Sequence, residues 1–405
     1  MTTLPRTDYI AQEAPKRRNY NAPAKRHIYE PEIDHTKYLP KSAKAAKKSK
    51  KQPRKSQLAL LIAGHNESMV IEKTLLSAIK AGMNAKDIYF VDDNSSDGTR
   101  QIAAGIIGME NTIRVRRSGK GLALTKAAKK FQLTKRYNWI HIADADGGFA
   151  QDYFRIFRKS LRVEYAAATG YVRSLPGASV SQYRVVEYTI GMELYRRFQA
   201  MTHTVSVIPG PTSCFRADVF DKVNFANKSM TEDFDVTIQI HRQKLGHVQF
   251  IPRAIAYTQD PRNMQDFTKQ ITRWNRGVMQ GMVRHRIGLR PQRIDAYMMY
   301  QMMQNMLLFL NYCVVLPYLA IHDRTLNVLA LAFLLDVILM FNLTMLVVLK
   351  TGRKDVLSAF PHIYMYRWIT LGVFLRAFFE VVILRRYRVS EGIWSNKRYK
   401  SAMTV

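Results

Sequence analysis

Cysteine is nearly absent from this chain: 405 residues contain Cys214 and Cys313 and no others. The pair has no metal-ligand spacing, and Cys313 falls in an apolar run. That argues against both a disulfide framework and a thiolate metal centre and suits a reducing compartment. Acidic residues are also scarce, 31 against 62 Lys and Arg, which leaves a formal net charge of +31. Residues 1–56 lack the apolar stretch of a secretory signal. They carry Pro, Lys, Arg and isolated Tyr, and 41–55 is nearly all Lys, Ala, Ser, Gln and Pro. Such a segment buries too little apolar surface to fold alone. We expect a basic, disordered tail over 1–56, with a polybasic grip on acidic lipid as the sharper alternative. No base-stacking module follows it, so nucleic acid is not the expected partner. No internal repeat is visible.

The texture changes at Leu58. The apolar run 58–63 reads as a strand buried on both faces. A polar break at Gly64-His65-Asn66-Glu67 follows, then helical periodicity over 70–81 with Gly82 beyond its end. The same alternation recurs: strands over 87–91, 113–115 and 139–143, helices over 99–107 and 121–130. This order defines an α/β, doubly wound sheet over 57–263. Past Phe149 the pattern is mixed. A long helix is expected over 180–201, short strand potential over 205–216, and a helix over 233–244 with Thr231 as its N-cap.

In such sheets ligands bind outside the carboxyl ends of the strands, and the acidic clusters fall there. Glu67 follows the first strand. Asp92-Asp93 follows the second, where Asp92 or Asp93 could bond the base or ribose of a nucleotide, and Asp97 or Ser96 could cap the next helix. Asp144-Ala145-Asp146 ends the fourth. Two carboxylates at i and i+2 suit a hard divalent cation, and such an ion offsets the charge on a departing diphosphate. An Asp-x-Asp alone is a common surface turn; its place after three βα units gives it meaning. Lys120, after Gly119, offers a cation near the donor. Thr231-Glu232-Asp233 adds a third acidic turn, and Asp233 can take a proton from an attacking hydroxyl. Gln270, Arg273 and Trp274 stand i, i+3, i+4 on one helical face. There Arg273 can grip a diphosphate and Trp274 can stack on a sugar. The set reads as a metal-dependent nucleotide-sugar transferase.

The chain then turns apolar. Residues 264–290 form a basic amphipathic helix suited to a membrane interface. Within 291–385, the runs 300–321 and 326–349 are long enough to cross a hydrocarbon core. The run 360–384 is weaker, broken by Arg367, Arg376 and Glu380; Arg376 and Glu380 could pair at i,i+4. Asp336 lies mid-way along the second run. Three full spans would carry the basic tail 386–405 outside, against the positive-inside rule, so a re-entrant or interfacial third segment is favoured.

Together these motifs resemble the processive family-2 glycosyltransferases with a GT-A fold, the membrane synthases of cellulose, chitin, hyaluronan and poly-N-acetylglucosamine. The resemblance runs from about Leu58 to Trp274. It rests on Asn66-Glu67, Asp92-Asp93, Gly119-Lys120, Asp144-Ala145-Asp146, Gln182 through Glu187-Tyr188, Gly210-Pro211 through Phe215-Arg216, Thr231-Glu232-Asp233 and Gln270 to Trp274. The stretches 231–237 and 270–277 look most like the poly-N-acetylglucosamine synthases. The resemblance implies a UDP-sugar donor, Mg2+ or Mn2+ held by Asp144 and Asp146, and donor contacts from Glu67, Asp92, Asp93, Lys120, Asp144 and Arg273. It further implies inversion with Asp233 as base beside Glu232, an acceptor site at Gln270, Arg273 and Trp274, and a glycan or lipid acceptor. The protein would be integral to the membrane with its catalytic domain cytoplasmic. A basic tail stands where most relatives carry N-terminal spans.

Overall fold

The computed structural model describes residues 56–175, 179–226, 229–322 and 326–386. The expected tails over 1–56 and 386–405 lie outside these residues apart from Ser56 and Arg386.

One sheet of eight strands organises the described residues: β1 (Ser56–Gly64), β2 (Ile88–Asp92), β3 (Thr112–Arg114), β4 (Tyr137–Asp144), β5 (Gly148–Phe149), β6 (Ala167–Ser174), β7 (Ser213–Arg216) and β8 (Val248–Thr258). Their order is β3-β2-β1-β4-β7-β6-β8-β5. The first four are mutually parallel, with β1 between β2 and β4. β1 shows why its sequence is an unbroken apolar run. Leu58, Leu60 and Ile62 enter the core on one face with Ile71 and Leu75, while Ala59 and Leu61 enter the core on the other with Ala123 and Leu124. The helices Ile71–Lys80, Thr99–Ile107 and Lys120–Lys130 follow the expected spans.

Beyond β4 the sheet departs from a purely parallel pattern. β7 is antiparallel to both β4 and β6, and β5 is antiparallel to β8. β6 and β8 run parallel, with a break in register between Gly170 and Tyr171. Neither strand is legible in sequence. β6 opens on Ala167-Ala168 and contains Gly170, weak strand formers, and β8 carries Pro252 at the register break, where a missing N–H is tolerated. Thr231 stands before the helix Glu232–Arg242 with extended backbone, yet its side chain makes no capping bond. That corrects the expected hydroxyl cap.

A helix over 179–202 contains a π turn at Gly191–Arg196. The helix Met264–Arg284 packs against the Glu232–Arg242 helix through two glycines. A Cβ on Gly277 would strike the Thr231 side chain, and one on Gly281 would lie 2.5 Å from Phe234. Its Phe267 and Ile271 join a core with Tyr183, Ile363 and Tyr366 from two further helices. The apolar face that the sequence assigns to a membrane interface is therefore occupied by protein.

Among the described residues, two helices are long and apolar enough to cross a membrane, Arg293–His322 with 30 residues and Asn327–Thr351 with 25. Both expose large apolar side chains, among them Met303, Leu307, Leu331, Leu335 and Leu346. The third run forms the helix Phe360–Phe378 and a π turn to Ile383. Interrupted by Arg367, Arg376 and Glu380, it packs on Met264–Arg284, with Phe374, Ala377 and Val381 beside Met279 and Met282. Arg376 Nε bonds Glu380 Oε1 at 2.8 Å, as the i,i+4 spacing suggests, and Arg276 adds a second contact to Glu380 from the Met264–Arg284 helix.

Candidate active site

Lys120 is the point where the acidic turns meet. Its Nζ lies 2.6 Å from Asp144 Oδ1 and 2.9 Å from Glu232 Oε1. Burial would push the ammonium pKa down, but the carboxylates of Asp144 and Glu232 hold it well above the usual Lys range. One cation thus joins Asp144 at the end of β4 to Glu232 at the start of the Glu232–Arg242 helix. Burial would raise the Glu232 carboxyl; Lys120 outweighs that and lowers it.

Lys120 reaches this point because Asp93 shapes the turn before it. Asp93 accepts hydrogen bonds from the backbone N–H of Ser118 at 2.7 Å and of Gly119 at 2.9 Å, and Arg117 lies 3.4 Å away. Asp92 differs. One oxygen accepts from Ser95 N at 3.0 Å. The other, Oδ2, is buried with no hydrogen-bond partner and stands 3.5 Å from Arg114 Nε. The adjacent carboxylates therefore divide: Asp93 is committed to the loop, while Asp92 keeps an open acceptor. Glu67 is buried under this edge, its N–H donating to Thr99 Oγ1 at 2.8 Å. Asp97 does the work of a cap, accepting from Thr99 N at 3.1 Å. Against its burial, the Thr99 hydroxyl and neighbouring donors bring the Asp97 pKa down to about 2.

Asp233 lies half-buried one residue past Glu232. Burial first and the Glu232 charge second raise its pKa to about 6, opposed by Lys120 and Arg273. Arg273 also donates to Met230 O at 3.4 Å, so it stands on the Asp233 side of the site. Gly210 packs against Asp144; a Cβ there would stand 2.6 Å from Asp144 Oδ2.

Gln270 and Trp274 converge on a residue that motif reading missed. Arg184 is fully buried. It donates to Gln270 Oε1 at 2.5 Å and pairs with Glu187. Its guanidinium lies 4.7 Å from the Trp274 ring centroid and 4.9 Å from that of Phe267. One face of the indole is therefore taken by a cation. The available signal was a single Arg among Val180, Tyr183, Val185 and Val186. Asp260, also unread, is buried beside this hub with Oδ2 accepting no hydrogen bond, and burial raises its pKa to about 7.

This sheet, with acidic turns at the carboxyl ends of its parallel strands, is a GT-A-type nucleotide-sugar fold. A mannosyltransferase from Pyrobaculum calidifontis, solved with GDP-Man and Mn2+, shares it with a TM-score of 0.52, 14% identity, and coverage of 79% of this chain and 87% of that one. The family model "Glycosyltransferase like family 2" matches residues 53–277. The chain belongs to that family and is a glycosyltransferase. It is 26% identical over 270 residues to a poly-beta-1,6-N-acetyl-D-glucosamine synthase of Staphylococcus aureus (strain COL), covering 65% of this chain and 64% of the relative. It is 25% identical over 237 residues to the synthase of the same name from Staphylococcus epidermidis, covering 56% of each. The match thus spans less than two thirds of these relatives' length.

Proposed function

We propose that the protein is a membrane-bound inverting glycosyltransferase that moves N-acetylglucosamine or a related hexose from a UDP-sugar onto a growing β-linked polysaccharide. The observation that carries this reading is the Lys120 bridge, which brings the donor-side turn, the Asp144 strand end and Glu232 to one point. The similarity to poly-beta-1,6-N-acetyl-D-glucosamine synthases supports the choice of sugar and product.

Asp144 and Asp146 fit Mg2+ or Mn2+ as two hard oxygen ligands beside a glycine that leaves the Asp144 carboxylate room. Among the described residues no group of three or more His, Cys, Asp or Glu is placed to hold a metal. Donor phosphates and water would complete the shell, as is usual for Mg2+. The ion, when bound, offsets charge on the leaving diphosphate. Asp92 Oδ2 suits a donor N–H or hydroxyl, with Glu67 behind it. Lys120 and Arg273 bracket the anionic donor. Asp233 takes the acceptor hydroxyl proton, its raised pKa matching it to base work near neutrality. Trp274 stacks on the acceptor sugar with the face away from Arg184, and Gln270 holds Arg184 against the ring.

The helices Arg293–His322 and Asn327–Thr351 would span the membrane as an antiparallel pair with the catalytic domain on the cytoplasmic side. Arg290, Arg293, Lys350, Arg353 and Lys354 sit at the two ends nearest that domain, where the positive-inside rule places cations. The test is to incubate detergent-purified protein with labelled UDP-N-acetylglucosamine and Mn2+ and to size the product. A ladder or high polymer is expected. A single adduct on a lipid or protein would make the enzyme non-processive, and no UDP release would overturn the reading.

A further inference from the structure

The second half of the 179–202 helix turns apolar side chains outward. Leu194, Tyr195, Phe198 and Met201 are exposed, Met201 at 69%. The positions 194, 198 and 201 follow i, i+4, i+7 and make one stripe. Its inner side is fixed: the buried Arg196 donates to Val207 O, and Gln199 Nε2 donates to Tyr297 OH at 2.7 Å. The stripe is therefore a built surface, and an apolar patch of this kind on a folded domain marks an interaction site.

The stripe also stands where both apolar helices meet the catalytic domain. The rings of Phe198 and Tyr297 are 6.3 Å apart at the foot of Arg293–His322. At the end of the second helix, Lys350 Nζ lies 3.4 Å from Glu193 Oε2. Between the stripe and the first helix is a hollow of about 460 Å3 lined by Phe198, Thr202, Thr204, Arg293, Tyr297 and Tyr300. A second hollow of about 400 Å3, lined in part by Arg290, continues past Arg293. Arg286, Arg290 and Arg293 are exposed in the turn that joins the two helices. The nearby acid, Asp295, is held by both terminal nitrogens of Arg242, at 2.6 and 2.8 Å. An apolar groove thus opens beside exposed guanidinium groups and hydroxyls.

We propose that this groove binds an anionic phospholipid of the bilayer. An acyl chain lies along Phe198, Tyr297 and Tyr300, and the phosphate sits at Arg293, with Arg290 next to it. The apolar stripe then rests in the headgroup layer and sets the height of the catalytic domain over the membrane. The Thr202 and Thr204 hydroxyls border the groove at its polar end, and Arg pairs well with phosphate oxygens. This inference rests on the membrane reading above.

The test uses full-length protein in mild detergent, titrated with dioleoylphosphatidylglycerol or with dioleoylphosphatidylcholine and read by native mass spectrometry. Wild type should retain one phosphatidylglycerol in preference to phosphatidylcholine by about five-fold or more, the scale that one basic side chain contributes beside an anionic surface. Arg293→Glu with Arg290→Glu should abolish the preference, and Tyr300→Ser should weaken retention of both lipids. UDP release in detergent should be unchanged in these variants, which also reports that they fold. Equal retention of the two lipids by wild type, or an undiminished preference in the double variant, would overturn the proposal. A chain that stays monodisperse without detergent would overturn the membrane reading itself, which is a separate outcome.

Discussion

Two clusters built around carboxylates differ in how completely those carboxylates are satisfied. At the sheet edge, Asp144 and Glu232 share one ammonium, that of Lys120. Asp92 nearby keeps a buried oxygen without a hydrogen bond, and Asp233 is held at a raised pKa of about 6. Among the apolar helices, Asp336 receives Arg367 Nη1 on both oxygens, at 2.8 and 2.6 Å, and the Tyr364 hydroxyl at 2.7 Å. The Arg367 guanidinium lies 5.7 Å from the Trp368 ring, which meets the Tyr312 ring at 5.1 Å. The first cluster has capacity left for a ligand; the second has used its own. A buried charge with a full set of partners is a structural joint. Acids crowded with too few cations are poised for chemistry.

The largest effect should come from the open cluster. Asp146→Asn would remove one of the two oxygen ligands proposed for the metal, so transfer should vanish and Mn2+-dependent UDP binding should weaken while the melting temperature holds. Retention of more than about a tenth of the wild-type rate would remove Asp146 from the metal site.

Asp233→Asn should lower turnover by about 10²–10⁴-fold, the range for losing a general base. Donor affinity should not change, since the base acts on the acceptor; a matching loss of UDP-sugar affinity would make Asp233 a donor-site residue. The pH profile sharpens this. A carboxyl with a raised pKa is deprotonated, and so able to accept a proton, only above about 6. The rate should fall as pH drops through that value. Asp260, whose pKa is raised to about 7, could produce a similar limb. The assignment to Asp233 therefore requires the limb to survive in Asp260→Asn.

A mixed result is expected at Arg184, which is saturated yet touches the site. Arg184→Met leaves the buried Gln270 oxygen without its donor and should cost about 1–3 kcal/mol, the scale for an unsatisfied buried acceptor. Arg184→Lys keeps the charge without the fork. It should retain most of the stability but lose acceptor extension more than UDP release, because Trp274 loses its stacked partner. Equal loss of both activities in the Lys variant would reduce Arg184 to a packing role.

The smallest effect on chemistry should come from the closed cluster. Asp336→Leu leaves Arg367 uncompensated and should lower thermal stability, while single-sugar transfer per folded molecule stays at the wild-type rate. Replacing Arg367 with Leu as well should recover part of the stability. A loss of transfer without a loss of stability would place Asp336 in the reaction path and erase the contrast between the clusters.

Much of the catalytic half was legible because its signals are local. β1, β2 and β4 are buried on both faces, so each reads as an apolar run, and each leads into acids that the parallel topology must bring to one edge. β6 and β8 were not legible, because Ala167, Ala168 and Gly170 in one and Pro252 in the other are tolerated only by the partner strand. The split between Asp92 and Asp93 was equally hidden. Adjacent Asp residues look alike in sequence, and only the fold of 116–119 onto Asp93 decides which of them is occupied.

Sequence alone determined the kind of sheet core, the position of the acidic turns along the chain and the two long apolar helices, because burial on both faces, strand-end polarity and span length are written in consecutive residues. Tertiary structure alone decided that Lys120 bridges Asp144 and Glu232, that Arg184 backs Trp274, that Asp336 is already paired, and that the helix carrying Gln270 is wedged between protein layers through Gly277 and Gly281. Each of these is a contact between segments distant along the chain. Its energy depends on distance, desolvation and the number of partners, and no local pattern encodes those three quantities.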